Sequence, residues 1–469
     1  MKIAFIHYHL KTGGVTTVLK QQLSAIDRRA DTLVMAGDSP EVPLAADLVT
    51  IPELGYTSEY KAGFDPADVA RTIIKAIYSK FSGPCDVLHI HNPTLAKNRQ
   101  FIKIIKFLQK EDVNLLLQIH DFAEDGRPLV YFSEDYPADC HYAVINRRDY
   151  QILLKSGLKP EGLHLIENTV SAPQITPKPE VEYSMVLYPI RAIRRKNIGE
   201  AALLSLFMKN QQALFITLPP NSPVDIKSYR GWKTFVQAQE LNVAFDKGLS
   251  HDFSTLVQCA DFLISTSITE GFGFSFLEPW LFGKLLWGRK LADICADFEH
   301  SGIRLEHLYE GLYVPVDWIG LHQFRDKWSA SVLKACRLFN VSIEKACIRH
   351  SFEAVTRDGN IDFGLLDESS QKEVLLQVIS SRRDAQRLVT INPFLANPAA
   401  VADKDGLIEN NRRAILRNYN PTAYGEKLIE VYRKVNTTRI RQKIDKAVLV
   451  SSFLNPQKFS LLKWSDYVE

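Results

Sequence analysis

At 469 residues the chain is too long for one ordinary hydrophobic core, so two large domains are the natural division. Its 46% apolar and 24% charged residues are the mix of a soluble globular protein, and a formal charge of +3 is too small to argue for nucleic acid or an acidic partner. No apolar run of about eighteen residues could span a membrane, and six cysteines without CxxC spacing suggest neither a disulfide framework nor a zinc site, but buried thiols in a reducing compartment.

MKIAFIHYHL reads directly as a first strand with no signal-peptide pattern, so a cytoplasmic location is expected. KIAFIHY (2–8) is followed by an amphipathic helix, VTTVLKQQLSAI (15–26), and a second strand, DTLVMAG (31–37). Helix PADVARTIIKAIYSKF (66–81), strand DVLHIHN (86–92), helix RQFIKIIKFLQKE (99–111) and strand NLLLQIHD (114–121) continue the alternation. HYAVIN (141–146) and the helix RRDYQILLKSG complete the set. Strands this apolar, spaced by helices of about a dozen residues, indicate a parallel sheet covered on both faces.

The proline-rich stretch SAPQITPKPEVE (171–182) reads as a linker. Alternation resumes with YSMVLYPI (183–190), helix IGEAALLSLFMKN (198–210), strand ALFITLP (213–219), the segments WKTFVQAQEL and VAFDKG, helix STLVQCA (254–260) and strand DFLIST (261–266). The fold class is therefore α/β, with two facing, doubly wound, Rossmann-like domains. Their expected limits are 1–175 and 183–425, the second with a possible insertion around 300–410 that could be loop, insertion or lid. Helical patterns such as FRDKWSASVLKACRLF and QKEVLLQVISSRRDAQRLV stand in that region, and PTAYGEKLIEVYRKV (421–435) is a helix with Pro at its start. Residues 426–469 are expected as a C-terminal helix and tail packing back on the first domain.

Three constellations carry chemistry. Gly13-Gly14 sits at the first strand-to-helix turn, where glycines let backbone N–H groups approach a phosphate or simply make a tight turn. The cluster RAIRRKN (191–197) places Arg191 and Lys196 five positions apart after a strand, a guanidinium and an ammonium suited to a diphosphate. Arg194 and Arg195 read as solvated. The segment TEGFGFSFLEPWLFGK places Glu270 and Glu278 around Gly271, Phe272, Gly273 and Phe274 at another strand-to-helix turn. Ligands bind at that edge of α/β sheets. Glutamates there would repel phosphate, so they suit hydroxyl groups, and the combination suggests a nucleotide-sugar. Taken alone, Glu270 and Glu278 read as a loop charge and a first-turn glutamate complementing the helix dipole. His120, in QIHD at a strand end, could hydrogen-bond a sugar hydroxyl or be satisfied by backbone. No HxxxH or Cys/His spacing points to metal.

With these motifs, together with HIHN (89–92) and IENTV (166–170), the chain resembles the retaining nucleotide-sugar glycosyltransferases of the GT-B fold, particularly family 4. The likeness covers roughly residues 1–290 and the helix 421–435. It implies transfer of a hexosyl group from a nucleoside-diphosphate sugar to a hydroxyl acceptor, a sugar, glycan or lipid-linked molecule, with retention of configuration and without cofactor or metal. By the same resemblance Arg191 and Lys196 neutralise the leaving diphosphate, Glu278 accepts from ribose hydroxyls and Glu270 holds a donor-sugar hydroxyl. Backbone amides near Gly271–Phe274 also contact the donor. His120 contacts the donor sugar from the other domain, and Gly13 and Gly14 border the phosphate and acceptor. Pro189-Ile190 and Pro279-Trp280 depart from the family's usual small residues. Related readings are a nucleotide-sugar epimerase or hydrolase, and a non-catalytic partner subunit of the same fold. Because many relatives act on lipid-linked acceptors, peripheral contact with the inner membrane face is a further expectation. KNRQFIKIIKFLQK (97–110) is the segment that could lie on an anionic bilayer, or be an ordinary helix packed on the sheet.

Overall fold

The structure, a computed structural model, describes residues 1–41, 43–57, 63–173, 184–209 and 212–467. From residue 174 to its end, the expected linker lies outside them. The chain divides into two compact units, Met1–Ser171 with Asn418–Leu454, and Ala172–Arg417 with Asn455–Glu469.

The first unit is built on seven parallel strands, β1 (Lys2–His7), β2 (Asp31–Ala36), β3 (Asp47–Thr50), β4 (Val87–His91), β5 (Leu115–Ile119), β6 (His141–Val144) and β7 (Leu163–Leu165), in the order β3-β2-β1-β4-β5-β6-β7. Every residue of β4, β5 and β6 is buried, as both-face coverage demands. Helices Pro66–Phe81 and Phe101–Lys110 bury Ile73, Ile77, Ile104 and Leu108 in the cluster that covers one face. The other face packs Leu19 and Leu23 of helix Gly14–Ala25 with Leu428 and Tyr432 of helix Pro421–Thr437. These two helices approach closely at Gly425, where a Cβ would stand 2.2 Å from the Ala25 carbonyl oxygen. Phe101, Ile102, Ile104, Ile105 and Leu108 are fully buried, so of the two readings of this apolar stripe the structure shows the ordinary helix packed on the sheet.

The second unit carries β8 (Met185–Arg191), β9 (Ala213–Leu218), β10 (Val243–Ala244), β11 (Phe262–Ser265) and β12 (Leu286–Gly288), again parallel, in the order β10-β9-β8-β11-β12. A short antiparallel pair, β13 (Tyr313–Pro315) and β14 (Asn360–Asp362), lies in the region of uncertain expectation. That region is otherwise largely helical, including Leu321–Leu338, Lys345–Val355, Glu368–Ser380, Arg382–Ile391 and Lys404–Asn418. The pattern QKEVLLQVISSRRDAQRLV is interrupted at Ser381, whose side chain accepts from the Asp384 N–H and starts a new helix.

The C-terminal chain is shared between the units rather than packed wholly on the first. Residues up to Leu454 belong with the first, while Asn455 onward joins the second. The reason is apolar burial: Phe459, Leu461 and Leu462 are buried, Phe459 stacks on Trp464 at 5.3 Å, and Trp328 Nε1 donates to the Phe459 carbonyl at 3.2 Å.

Candidate active site

Each parallel sheet reverses its strand order once, and a crevice forms beyond the strand carboxyl ends at such a point because the flanking crossovers leave in opposite directions. In the second unit the reversal lies between β8 and β11. Arg191 ends β8 and is followed by a 3-10 turn, Arg194–Lys196. The loop containing Glu270 and the glycines follows β11. Ile268 N–H donates to the Arg195 carbonyl at 3.0 Å and joins the two loops. Tyr188 donates from its hydroxyl to the Lys196 carbonyl at 2.7 Å, and Thr266 Oγ1 donates to the same carbonyl at 3.0 Å.

That frame sets Lys196 against Glu270, with Nζ and Oε1 2.5 Å apart. Burial alone would raise the Glu270 carboxyl, but the charges of Lys196 and Arg195 and hydrogen bonds from Lys196 and Ser267 hold it below the usual range. Glu270 is therefore ionised, and Lys196 keeps further N–H donors beyond the one facing it. Arg191 donates from Nη1 to the Pro219 carbonyl at 3.1 Å, anchoring the guanidinium beside the strand end.

Glu278 has the opposite environment. It begins the short helix Glu278–Leu281, and among the described residues its carboxylate has no hydrogen-bond or ion-pair partner. Burial pushes its carboxyl up to about 7. Gly273 has φ of +91°, and a Cβ there would meet Ile294 and Phe276 at 3.0 Å, so the turn requires glycine. The Phe272 ring is core, packed edge-on to Phe274 and Phe298. Gly271 and Phe274 are partly exposed. Gly283, with φ of +69°, closes the helix.

The structure corrects the reading of Arg194 and Arg195 as solvated. Arg194 is buried and pairs with Glu368 through Nε at 2.6 Å and Nη2 at 2.8 Å, while Nη1 reaches the Ser465 carbonyl. It is a clamp between the site loop, a distant helix and the tail. Arg195 belongs to the site through its effect on Glu270. Ser267, Tyr188 and Thr266 were not singled out in the sequence, since hydroxyl residues beside a strand end carry no distinctive spacing.

The first unit reverses its order between β1 and β4, and there the chain sets histidines. His89, His91 and His120 stack in a column, with centroids 4.6 Å and 5.1 Å apart, and His7 meets His91 edge-on. His91 Nδ1 and His120 Nε2 share a hydrogen bond of 2.8 Å, and His89 Nδ1 meets the Tyr432 hydroxyl at 3.0 Å. Burial, helped by neighbouring histidines, lowers His7 and His89 to about 3, and burial, partly offset by Asp121, lowers His120 to about 4. The column is neutral at pH 7, and His120 has one ring nitrogen taken by its neighbour. Asn92, at φ of +51°, accepts through Oδ1 from the His120 and Asp121 N–H groups at 2.7 and 3.1 Å. Gly13 and Gly14 open helix Gly14–Ala25 on the exposed side of the adjoining loop. Carboxylates of the chain already occupy two nearby amides: Asp38 accepts from Leu10 N–H and Glu41 from Thr12 N–H. Among the described residues, no cluster of three His, Cys, Asp or Glu could hold a metal ion, and no helix is long and apolar enough to cross a membrane.

No protein-family model matches the chain. A mannosylglucosyl-3-phosphoglycerate synthase of Petrotoga mobilis is 27% identical over 430 residues, covering 81% of this chain and 82% of its own. Among solved structures, sucrose-phosphate synthase from Thermosynechococcus elongatus matches with a TM-score of 0.54 at 14% identity, covering 92% of this chain and 98% of its own. HepE of Anabaena in complex with UDP-glucose matches with a TM-score of 0.52 at 13% identity, covering 92% and 99%. The fold is the GT-B fold, with two Rossmann-like domains, as the sequence resemblance implied. The similarity to a synthase of a glycosylated phosphoglycerate runs over four-fifths of this chain.

Proposed function

We propose that this protein is a glycosyltransferase that moves a hexosyl group from a nucleoside-diphosphate sugar to a hydroxyl of a small anionic glycoside, with retention of configuration and without a divalent metal. The observation that carries the donor side is the Lys196–Glu270 pair at the switch point between β8 and β11, with Arg191 ending the first of those strands. Arg191 and the free donors of Lys196 meet the diphosphate and take up the charge that develops as it leaves, the work a metal ion does elsewhere. Glu270, held ionised, accepts from a donor-sugar hydroxyl. Glu278 is partly buried and has no partner among the described residues, and a pair of ribose hydroxyls would satisfy it. The amides from Gly271 to Phe274 complete the donor cradle.

The roles of His120 at the donor sugar and of Gly13 and Gly14 at the phosphate and acceptor rest on the sequence resemblance. The acceptor class is supported by the Petrotoga relative, named as a synthase of mannosylglucosyl-3-phosphoglycerate. A mannosyl donor with a phosphorylated glucoside acceptor is accordingly the leading pair.

The test is a panel of nucleotide-sugars assayed for release of nucleoside diphosphate with and without glucosyl-3-phosphoglycerate. One donor should be turned over slowly alone and faster with acceptor, and Arg191→Ala should abolish both reactions with unfolding unchanged. An isomerised sugar formed without acceptor would overturn transfer in favour of epimerisation. Full activity of Arg191→Ala would sink the assignment.

A further inference from the structure

Lys97 has no place in the machinery described so far. It lies beyond the end of β4, half-buried, and its ammonium rests over the Tyr56 ring at 5.3 Å from the centroid. Among the described residues no carboxylate pairs with it. An ammonium withdrawn from water without a paired counter-ion is costly, and here burial, then the nearby Arg127, lower its affinity for a proton, while Asp121, itself paired with Arg127, offsets only part of this. Such a group is retained where something anionic arrives to compensate it.

Its surroundings are built to hold it still. The Lys97 carbonyl accepts from Thr57 N–H at 2.9 Å, and Ala96 N–H donates to the Val130 carbonyl at 2.7 Å. Asn98 Nδ2 donates to the carbonyls of Glu53 and Gly55 at 2.6 and 3.0 Å, fixing the turn that carries Tyr56. His9 Nε2 hydrogen-bonds the Tyr56 hydroxyl at 2.9 Å. Arg127, beyond the end of β5, spends one nitrogen on Asp121 at 2.8 Å, with Asp125 a second carboxylate in reach. A guanidinium has five donors, so this pairing leaves others available. All four loops lie at the carboxyl edge of the first unit's sheet, the edge where α/β sheets bind ligands.

We propose that Lys97, with Arg127 and Tyr56, forms a subsite for an oxyanion of the acceptor, a phosphate or a carboxylate. This rests on the acceptor reading above and assigns residues to its anionic end. Lys97 supplies the charge, Arg127 a planar donor pair, and the Tyr56 ring holds the lysine ammonium in place.

The test compares Lys97→Met and Lys97→Arg with wild type, using a phosphorylated acceptor and its phosphate-free counterpart. Loss of a charged hydrogen bond should raise KM for the phosphorylated acceptor about 10- to 100-fold in Lys97→Met. Lys97→Arg should recover most of this, and acceptor-free donor hydrolysis and KM for the phosphate-free acceptor should stay at wild-type values. Wild-type KM for the phosphorylated acceptor in Lys97→Met overturns the subsite. If the wild type turns over no donor, the transfer reading fails separately. Inorganic phosphate then decides the subsite: it should raise the Tm of wild type and not of Lys97→Met, and an equal rise in both, or in neither, overturns it.

Discussion

Replacing Glu278 by glutamine isolates what burying its carboxyl costs the ligand-free protein. Burial pushes the folded carboxyl up to about 7 against an ordinary 4.5. Below pH 4.5 both folded and unfolded states hold the proton and the penalty vanishes. As pH rises from there to about 7, the unfolded state releases its proton while the folded state keeps it, so stability falls with rising pH. Above about 7 the penalty is constant at about 3 kcal/mol, and at pH 5 it is about 1 kcal/mol. The desolvation of the new amide is the same at both pH values, so the pH comparison removes it. Glu278→Gln should therefore gain about 2 kcal/mol more, relative to wild type, at pH 8 than at pH 5. Urea unfolding followed by tryptophan fluorescence reads this directly, because Trp232, Trp280, Trp287, Trp318, Trp328 and Trp464, all six in the chain, belong to the second unit. A pH-independent effect of the substitution would refute the claim that this carboxyl is desolvated and unpartnered.

The first unit should respond to pH in the opposite sense. His7, His89 and His120 are held neutral by burial, so as pH falls below 6.5 the unfolded state takes up protons first and stability is lost progressively toward pH 4; hydrogen exchange at β4 and β5 should accelerate over that window, and flat exchange would contradict it. Lys196→Ala should lose donor hydrolysis and also destabilise the second unit by about 3 kcal/mol, since buried Glu270 is left without its ammonium. Denaturant unfolding of Lys196→Ala with Glu270→Gln should recover much of that stability without activity. Arg289→Met should cost about 3–5 kcal/mol by the same fluorescence assay, because Arg289 lies between buried Glu200, at 2.5 Å, and Asp362, at 2.7 Å. Gly273→Ala should cost about 1–3 kcal/mol from its left-handed backbone and the crowding by Ile294 and Phe276, and should weaken donor binding; an unchanged Tm and donor KM would count against the required turn.

Strand and helix identity were legible because they rest on short-range periodicity. KIAFIH, VLHIH, LLLQI and FLIS are apolar runs bounded by turn chemistry, and each became a buried parallel strand. The loops that carry Arg191, Lys196, Glu270 and Glu278 could be placed at strand ends for the same reason. Tertiary structure alone decided which charges meet. Arg194 and Lys196 are indistinguishable by local pattern, yet one clamps Glu368, 174 positions away, and the other faces Glu270. Their partners are set by how loops and distant helices pack, and that depends on burial rather than on neighbouring residues. The same holds for Glu278, whose unusual proton affinity comes from water excluded around it, and for the tail after Leu454, which follows its apolar residues into the second unit. What the sequence determined was the scaffold and the chemistry available at its edges; the tertiary structure decided which of those groups are buried, paired or left for a ligand, because desolvation and ion pairing are properties of three-dimensional neighbours.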